Sequence, residues 1–275
     1  MGSWWEDQIP AIVEAYKDVK PNVNLTIEAL PVNGYVDKAV TTILGGGGPD
    51  ILAVDVTQMG TLVDKNLLLP WDDKIQDMDL SDFAAVIDGG KFDGTYYGLP
   101  YRTSSSIMYY NKTMFDEAGV AYPEEGWTYD DMLEIAKKLT IPGEQYGVGI
   151  AASNADPSNV FMTLSPIVWS YGADFLNEDQ TECTLNTPEA MEAVRFFTGL
   201  YTTEKVTPEG VINYTMTKDI MPLFIENKVG MMMGGDQNAV EFDTNYPDLK
   251  YGFCVPPKSP ASSGGWMFTV PVTAK

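Results

Sequence analysis

The residue types in this chain that could do chemistry are restricted from the start. There is no histidine, which removes Ser-His-Asp and Cys-His catalysis, histidine general bases and histidine metal ligands together. The two cysteines, Cys183 and Cys254, match no zinc spacing and can form at most one bridge; buried free thiols are the expectation. Carboxylates pair as Asp72-Asp73, Glu124-Glu125 and Asp130-Asp131. Neighbours in sequence point apart, and all three pairs read as exposed loop or cap positions, which argues against a glycosidase. Lys+Arg number 17 against 39 Asp+Glu, a net charge of -22. Such a surface keeps a protein soluble and repels nucleic acid and anionic membranes.

Hydroxyls, carboxylates and tryptophans, in contrast, recur where strands should end. Trp4 and Trp5 precede the first helix, either as a hydrophobic staple or as a ligand surface. Indoles stack on the C–H faces of sugars, beside groups that bond hydroxyls. Asp55 and Thr57 follow the apolar run 51–54, at the carboxyl end where open α/β sheets bind ligands; they either contact hydroxyls or cap the next helix. Arg102, one of two arginines, opens the polar run Arg102-Thr103-Ser104-Ser105-Ser106. A carboxylate, two ring hydroxyls or a structural ion pair would each satisfy it. Asp236 and Gln237 follow Gly234-Gly235 at another strand end. Phe161 and Trp169 flank an apolar helix and read first as core, Trp127 as packing, and Met231–Met233 as core. Trp266 follows Gly264-Gly265 and is the leading stacking candidate. The candidate ligand set is Trp4, Trp5, Asp55, Thr57, Arg102, Ser104, Trp169, Asp236, Gln237 and Trp266. No catalytic residue, metal ligand or cofactor is expected.

The elements that would position these residues alternate. Ile9, Ile12, Val13, Tyr16 and Val19 share one helical face. Val23, Leu25, Ile27 and Ala29 alternate as a strand. A second helix carries Val36, Ala39, Val40, Ile43 and Leu44, and the wholly apolar strand at 51–54 implies a parallel sheet covered on both faces. A short helix over 58–64 follows. After a turn at Asp93-Gly94, two strands at 96–100 and 107–110 flank the polar run, and a helix begins near Lys112 and ends at Gly119. The pattern then restarts. Thr128 and Asp131 form a capping box. Helices are expected over 159–171, from Thr187-Pro188, and over 217–227, with strands at 146–151, 229–233, 251–255 and 266–270. A length of 275 residues allows one large domain or two lobes. The boundaries read as lobe 1 over 1–102 with 263–275 returning to it, lobe 2 over 107–256, and hinge crossovers at 100–107 and 255–265.

The order Gly-Lys-x-x-x-x-x-Tyr-Gly-Leu-Pro over 90–100, then Tyr110-Asn111-Lys112, Phe115, Ala118-Gly119, Pro123 and Trp127-Thr128, with Gly264-Gly265-Trp266 later, resembles the extracellular solute-binding proteins of ABC importers, in the maltose-binding-protein-like, sugar-carrying group. The resemblance spans Trp4 to Val272. It implies a two-lobe, type II periplasmic-binding-protein-like α/β fold that binds a sugar or oligosaccharide in an inter-lobe cleft, closes about its hinge, and is recognised by membrane permease subunits. It also implies an aromatic of the 161–169 region in the cleft, an extracellular or periplasmic location with a lipid anchor, and no enzymatic activity. The family's tryptophan near 234–238 is absent here, which removes one stacking contact. Alternatives are a binding protein for a polyamine or organic acid, or a glycan-acting hydrolase. Set beside the family, the chain is expected to be truncated at both ends, with Met1-Gly2-Ser3 a cloning remnant. Uncovered apolar faces and weakened sugar binding would follow.

Overall fold

The computed structural model describes residues 3–30, 34–155, 157–179, 181–258 and 263–275. The chain divides into two compact units, Met1–Thr103 with Gly264–Lys275, and Ser104–Ser263.

The first unit begins with α1 (Ile9–Val19). Its apolar stripe, Ile9, Ile12, Val13 and Tyr16, is half-buried, and no residue of the helix is fully buried. In α2 (Tyr35–Leu44), Tyr35, Val36, Ala39 and Ile43 turn inward. The helix ends at glycines, and Gly46 takes φ 79°, which costs a residue without Cβ nothing. Strand β1 (Leu52–Asp55) runs into a 3-10 turn and α3 (Met59–Val63), and α4 (Asp72–Ile75) follows. Strands β2 (Lys91–Phe92) and β3 (Thr95–Tyr96) form a hairpin whose Asp93 and Gly94 both have positive φ, the two-residue turn that matches strand twist.

Strand β4 (Leu99–Asn111) carries the chain from the first unit into the second. There, α5 (Lys112–Ala118) ends at Gly119 in the left-handed region, and α6 (Tyr129–Leu139) starts with the Thr128–Asp131 capping box. The unit continues with β5 (Tyr146–Gly149), α7 (Pro157–Ser170), α8 (Pro188–Thr202), a π turn at Met216–Ile220, α9 (Met221–Ile225), β6 (Val229–Gly235), α10 (Gln237–Asn245) and β7 (Tyr251–Cys254). Strand β8 (Ser263–Thr269) returns to the first unit. In the second unit β5 is parallel to β6, β6 is antiparallel to β4, and β7 is antiparallel to β4 on its other edge. The core of that unit packs Met108, Phe115, Met132, Val148, Ile167 and Met231; the core of the first packs Val36, Ile43, Val54, Leu62 and Met267.

Several sequence expectations are corrected. Residues 23–29 are not a strand: among the described residues no ladder forms along them, and Leu30 alone makes a bridge. Alternating apolar residues fit a strand, but a strand exists only where a neighbour takes its hydrogen bonds. The described neighbour of strand β1, β8, is antiparallel to it rather than parallel. An all-apolar run reports burial on both faces, not strand direction. The two strands expected around the polar run are one, because β4 passes through Thr103–Ser106 without a break. Small hydroxyl side chains leave the extended backbone and its ladder intact. The helix expected over 217–227 opens as a π turn, since Pro222 has no N–H to give to an α-helical ladder. The polar residues expected after a strand at 229–233 start a helix, α10. Cys183 and Cys254 are both free, but Cys183 is exposed and Cys254 is half-buried rather than buried.

Candidate functional site

The candidate residues fall into separate groups, one around the first-unit strand ends and two in the second unit. In the first unit, Asp55 ends β1 and stands opposite Trp266 of β8. Its Oδ1 accepts from the backbone N–H of Thr57 at 2.9 Å and from the Thr57 hydroxyl. Asp55 is thus the N-cap of the turn Val56–Gln58, and Thr57 is the residue it caps. Trp266 is only 7% exposed and packs edge-on against Tyr35, ring centroids 6.0 Å apart. Burial in its own unit's core leaves little of its ring face to stack on a solute. Arg102 is half-buried and partnered. A Cβ at Gly265 would overlap the Arg102 carbonyl, so glycine is required where the two crossing strands meet. The side chains of Trp4 and Trp5 lie outside the described ones, their backbones in the 3-10 turn Ser3–Gln8. Residues 259–262 of the return crossover also lie outside the described residues.

In the second unit the structure brings Ser104, Asp236 and Gln237 together. The Ser104 hydroxyl lies 3.0 Å from Asp236 Oδ1 and 3.3 Å from Gln237 Oε1. Beneath them Tyr109, fully buried, fixes the start of α10. Its hydroxyl donates to the Gly235 carbonyl at 2.8 Å and accepts from the Ala239 N–H at 3.1 Å. A Cβ at Gly235 would meet the Gln237 amide and one at Gly234 would come 2.6 Å from Asn238 Oδ1, so these two side chains would have to turn aside.

Trp169 belongs to a second cluster. Its indole N–H donates to Asp174 Oδ1 at 3.1 Å, and the same oxygen accepts from the Phe175 N–H at 2.7 Å. Phe161, 38% exposed, stands perpendicular to Trp169 at 6.3 Å and tilted to Phe175 at 5.0 Å. The sequence reading did not single out Asp174 or Phe175. The signal was present in the carboxylate five residues past the tryptophan, at the end of α7. Trp127 is buried in the second-unit core and donates to the Val255 carbonyl at 3.0 Å.

Burial sets the titration of this region. Desolvation pushes the hydroxyls of Tyr35, Tyr109 and Tyr251 up to about 12, and the Cys254 thiol up to about 11. For Tyr251 the hydrogen bond to the Asp243 carboxylate adds to the shift. These groups stay neutral in the folded chain above the pH at which the unfolded chain ionises them. Their contribution to stability is complete below the unfolded values and falls away as pH rises through the folded ones. We expect denaturant midpoints that hold near pH 8–9 and drop steeply between about pH 10 and 12. A flat profile across that window would contradict the burial of these hydroxyls.

A model of the bacterial extracellular solute-binding proteins matches residues 2–275. The chain belongs to this family. Among its relatives, a binding protein of Brucella abortus is 29% identical over 256 residues, covering 92% of this chain and 60% of the relative. The arabinooligosaccharide-binding protein of Halalkalibacterium halodurans is 26% identical over 267 residues, covering 95% of this chain and 57% of the relative. The chain thus spans about 60% of the length of such relatives. An ABC transporter solute-binding protein of Thermotoga lettingae, solved with α-D-tagatose, aligns over 99% of this chain and 71% of its own with a TM-score of 0.86 at 23% identity. The fold of this solute-binding protein is therefore the mixed α/β, type II periplasmic-binding-protein architecture expected from its sequence. Among the described residues no helix is long and apolar enough to cross a membrane.

Proposed function

We propose that this solute-binding protein captures a sugar, an oligosaccharide or a polyol outside the cell and delivers it to the permease of an ABC importer. Family membership supports the reading, as do relatives whose names specify arabinooligosaccharide and a solved neighbour holding tagatose. The observation that carries it within this chain is the aromatic corner of the second unit. Trp169, pinned through its indole N–H, and the exposed Phe161 offer a rigid apolar surface, while Ser104, Asp236 and Gln237 offer hydroxyl partners elsewhere in that unit. Asp55, Thr57 and Arg102 are proposed contributors from the first unit. In this reading no bond is made or broken. The chain acts outside the membrane, with any hold on the bilayer coming from a lipid anchor.

A thermal-shift screen against mono-, oligosaccharides and polyols tests the proposal. A true ligand at about 100 times its dissociation constant adds about 2.7 kcal/mol of stability. Replacing Trp169 by alanine should weaken the best ligand by about 1–3 kcal/mol, roughly 5- to 150-fold. Unchanged affinity in calorimetry would return Trp169 to a packing role, and no shift with any sugar or polyol would remove the reading itself.

A further inference from the structure

We propose that Tyr109 is a positioning residue for solute binding: its buried hydroxyl holds the turn that carries Asp236 and Gln237. The proposal rests on the reading above, in which that pair meets ligand hydroxyls. Packing alone would accept a phenylalanine at this position. The Tyr109 ring is fully buried, meets Phe242 edge-on at 5.4 Å and lies 6.0 Å from Tyr251, contacts that need no oxygen. Burying a hydroxyl costs free energy unless it finds partners. This one finds them where β6 turns into α10. It donates to the Gly235 carbonyl at 2.8 Å, with the Asp236 carbonyl at 3.5 Å, and accepts from the Ala239 N–H at 3.1 Å.

The start of α10 depends on that help. Asp236 stands at the N-cap position with a helical backbone, φ -55° and ψ -29°, and its side chain makes no cap hydrogen bond. The Ala239 N–H, in the first turn, is shared between the Asp236 carbonyl at 3.2 Å and the Tyr109 hydroxyl. A residue 130 positions away in sequence therefore does what a local capping side chain ordinarily does. Burial pushes the Tyr109 hydroxyl up to about 12, so it stays neutral and can donate and accept together. The Asp236 and Gln237 residues are left exposed, and their side chains converge on the Ser104 hydroxyl at 3.0 and 3.3 Å. One hydroxyl has one proton to give, so at any moment one of the two acceptors is open to a solute hydroxyl. The placing of that acceptor follows the backbone at 235–237, which Tyr109 anchors.

Tyr109→Phe keeps the ring and removes only the oxygen. In calorimetry with maltotriose, arabinotriose and mannitol, affinity for the best of the three should fall roughly 2- to 10-fold, since the turn must now be ordered on binding. Added to a chain already carrying Asp236→Ala and Gln237→Ala, Tyr109→Phe should change affinity little, because both losses run through the same groups. Unchanged affinity in Tyr109→Phe, or losses that add in full, would overturn the proposal. Nuclear magnetic resonance of the unliganded protein gives a reading that needs no sugar. In the natural chain the Tyr109 hydroxyl proton should exchange slowly and show a cross-peak to the Ala239 N–H. In Tyr109→Phe the backbone amides of 235–239 and the Gln237 side-chain amide should shift, while those of β5 stay in place. A freely exchanging hydroxyl, or unmoved signals at 236 and 237, would overturn the proposal whichever solute binds. If none of the three solutes binds the natural chain and these signals behave as expected, the anchoring by Tyr109 stands and only the sugar reading falls.

Discussion

Replacing Gly147 by alanine should destabilise the second unit more than any other single methyl group added to this chain. Gly147 lies in β5 directly under α6, and a Cβ there would overlap the backbone carbonyl, Cα and carbonyl carbon of Ala136. A flexible side chain could swing aside; a helix backbone cannot. Either α6 must lift from the sheet or β5 must shift out of its parallel register with β6, where Tyr146 pairs with Val229 and Val148 with Met231. Lifting α6 exposes Met132, Ala136 and Leu139, all buried. Overpacking of a well-filled core costs about 1–3 kcal/mol, and a clash with the backbone of a packed helix belongs at the upper end. Urea denaturation followed by far-ultraviolet circular dichroism should show an unfolding free energy in water lowered by that amount, read as a lower midpoint at an unchanged slope. Gly119→Ala gives a contrast. Nothing lies within 4 Å of a Cβ there, so its cost comes only from the positive φ of 63° and should be smaller, about 1 kcal/mol. Equal losses at the two sites would refute a packing origin for Gly147.

The second large loss is expected at Asn111. This residue ends β4, is fully buried, and makes three hydrogen bonds in three directions. Its Oδ1 accepts the Met114 N–H at 3.1 Å and so caps α5; its Nδ2 donates to the Phe224 carbonyl at 3.0 Å and to Asn227 Oδ1 at 2.7 Å. One side chain thereby joins the strand, the helix that follows it and the end of α9. Asn111→Ala removes the cap, about 1 kcal/mol, and takes one of two donors from the buried Phe224 carbonyl, which keeps the Asn227 N–H, for about 0.5–1.5 kcal/mol more. Asn111→Asp keeps the acceptor for Met114 and loses both donors, setting a carboxylate against the Phe224 carbonyl. Thermal melts should therefore place the aspartate variant no higher than the alanine one. An aspartate variant as stable as the natural chain would show that the cap alone matters.

The same two positions show where sequence reasoning reaches and where it stops. That a helix starts after Asn111 and stops at Gly119 was legible, because an N-cap amide and a left-handed glycine act on backbone groups only a few residues away. The Thr128–Asp131 capping box and the Asp93-Gly94 turn were legible for the same reason. The family was legible too, in a run of short motifs whose order matters more than any one of them. Nothing local could say that Asn111 also reaches Phe224 and Asn227, more than a hundred residues on. The tertiary structure alone decided the strand partners. The alternation at 23–29 remained without a ladder, and the apolar strand at 52–55 met an antiparallel neighbour, because hydrogen-bond partners come from distant chain that hydropathy does not encode. It also decided the fate of the aromatic rings. Trp169 and Trp266 are the same residue type beside equally suggestive neighbours. Trp266 sits opposite Asp55 in a strand pair whose inner face is core, so its ring is spent on Tyr35. Trp169 sits near the end of a helix where Asp174 holds its N–H, so part of its ring remains at the surface. Residue type set what each ring can do; which of them can do it depends on the packing around each.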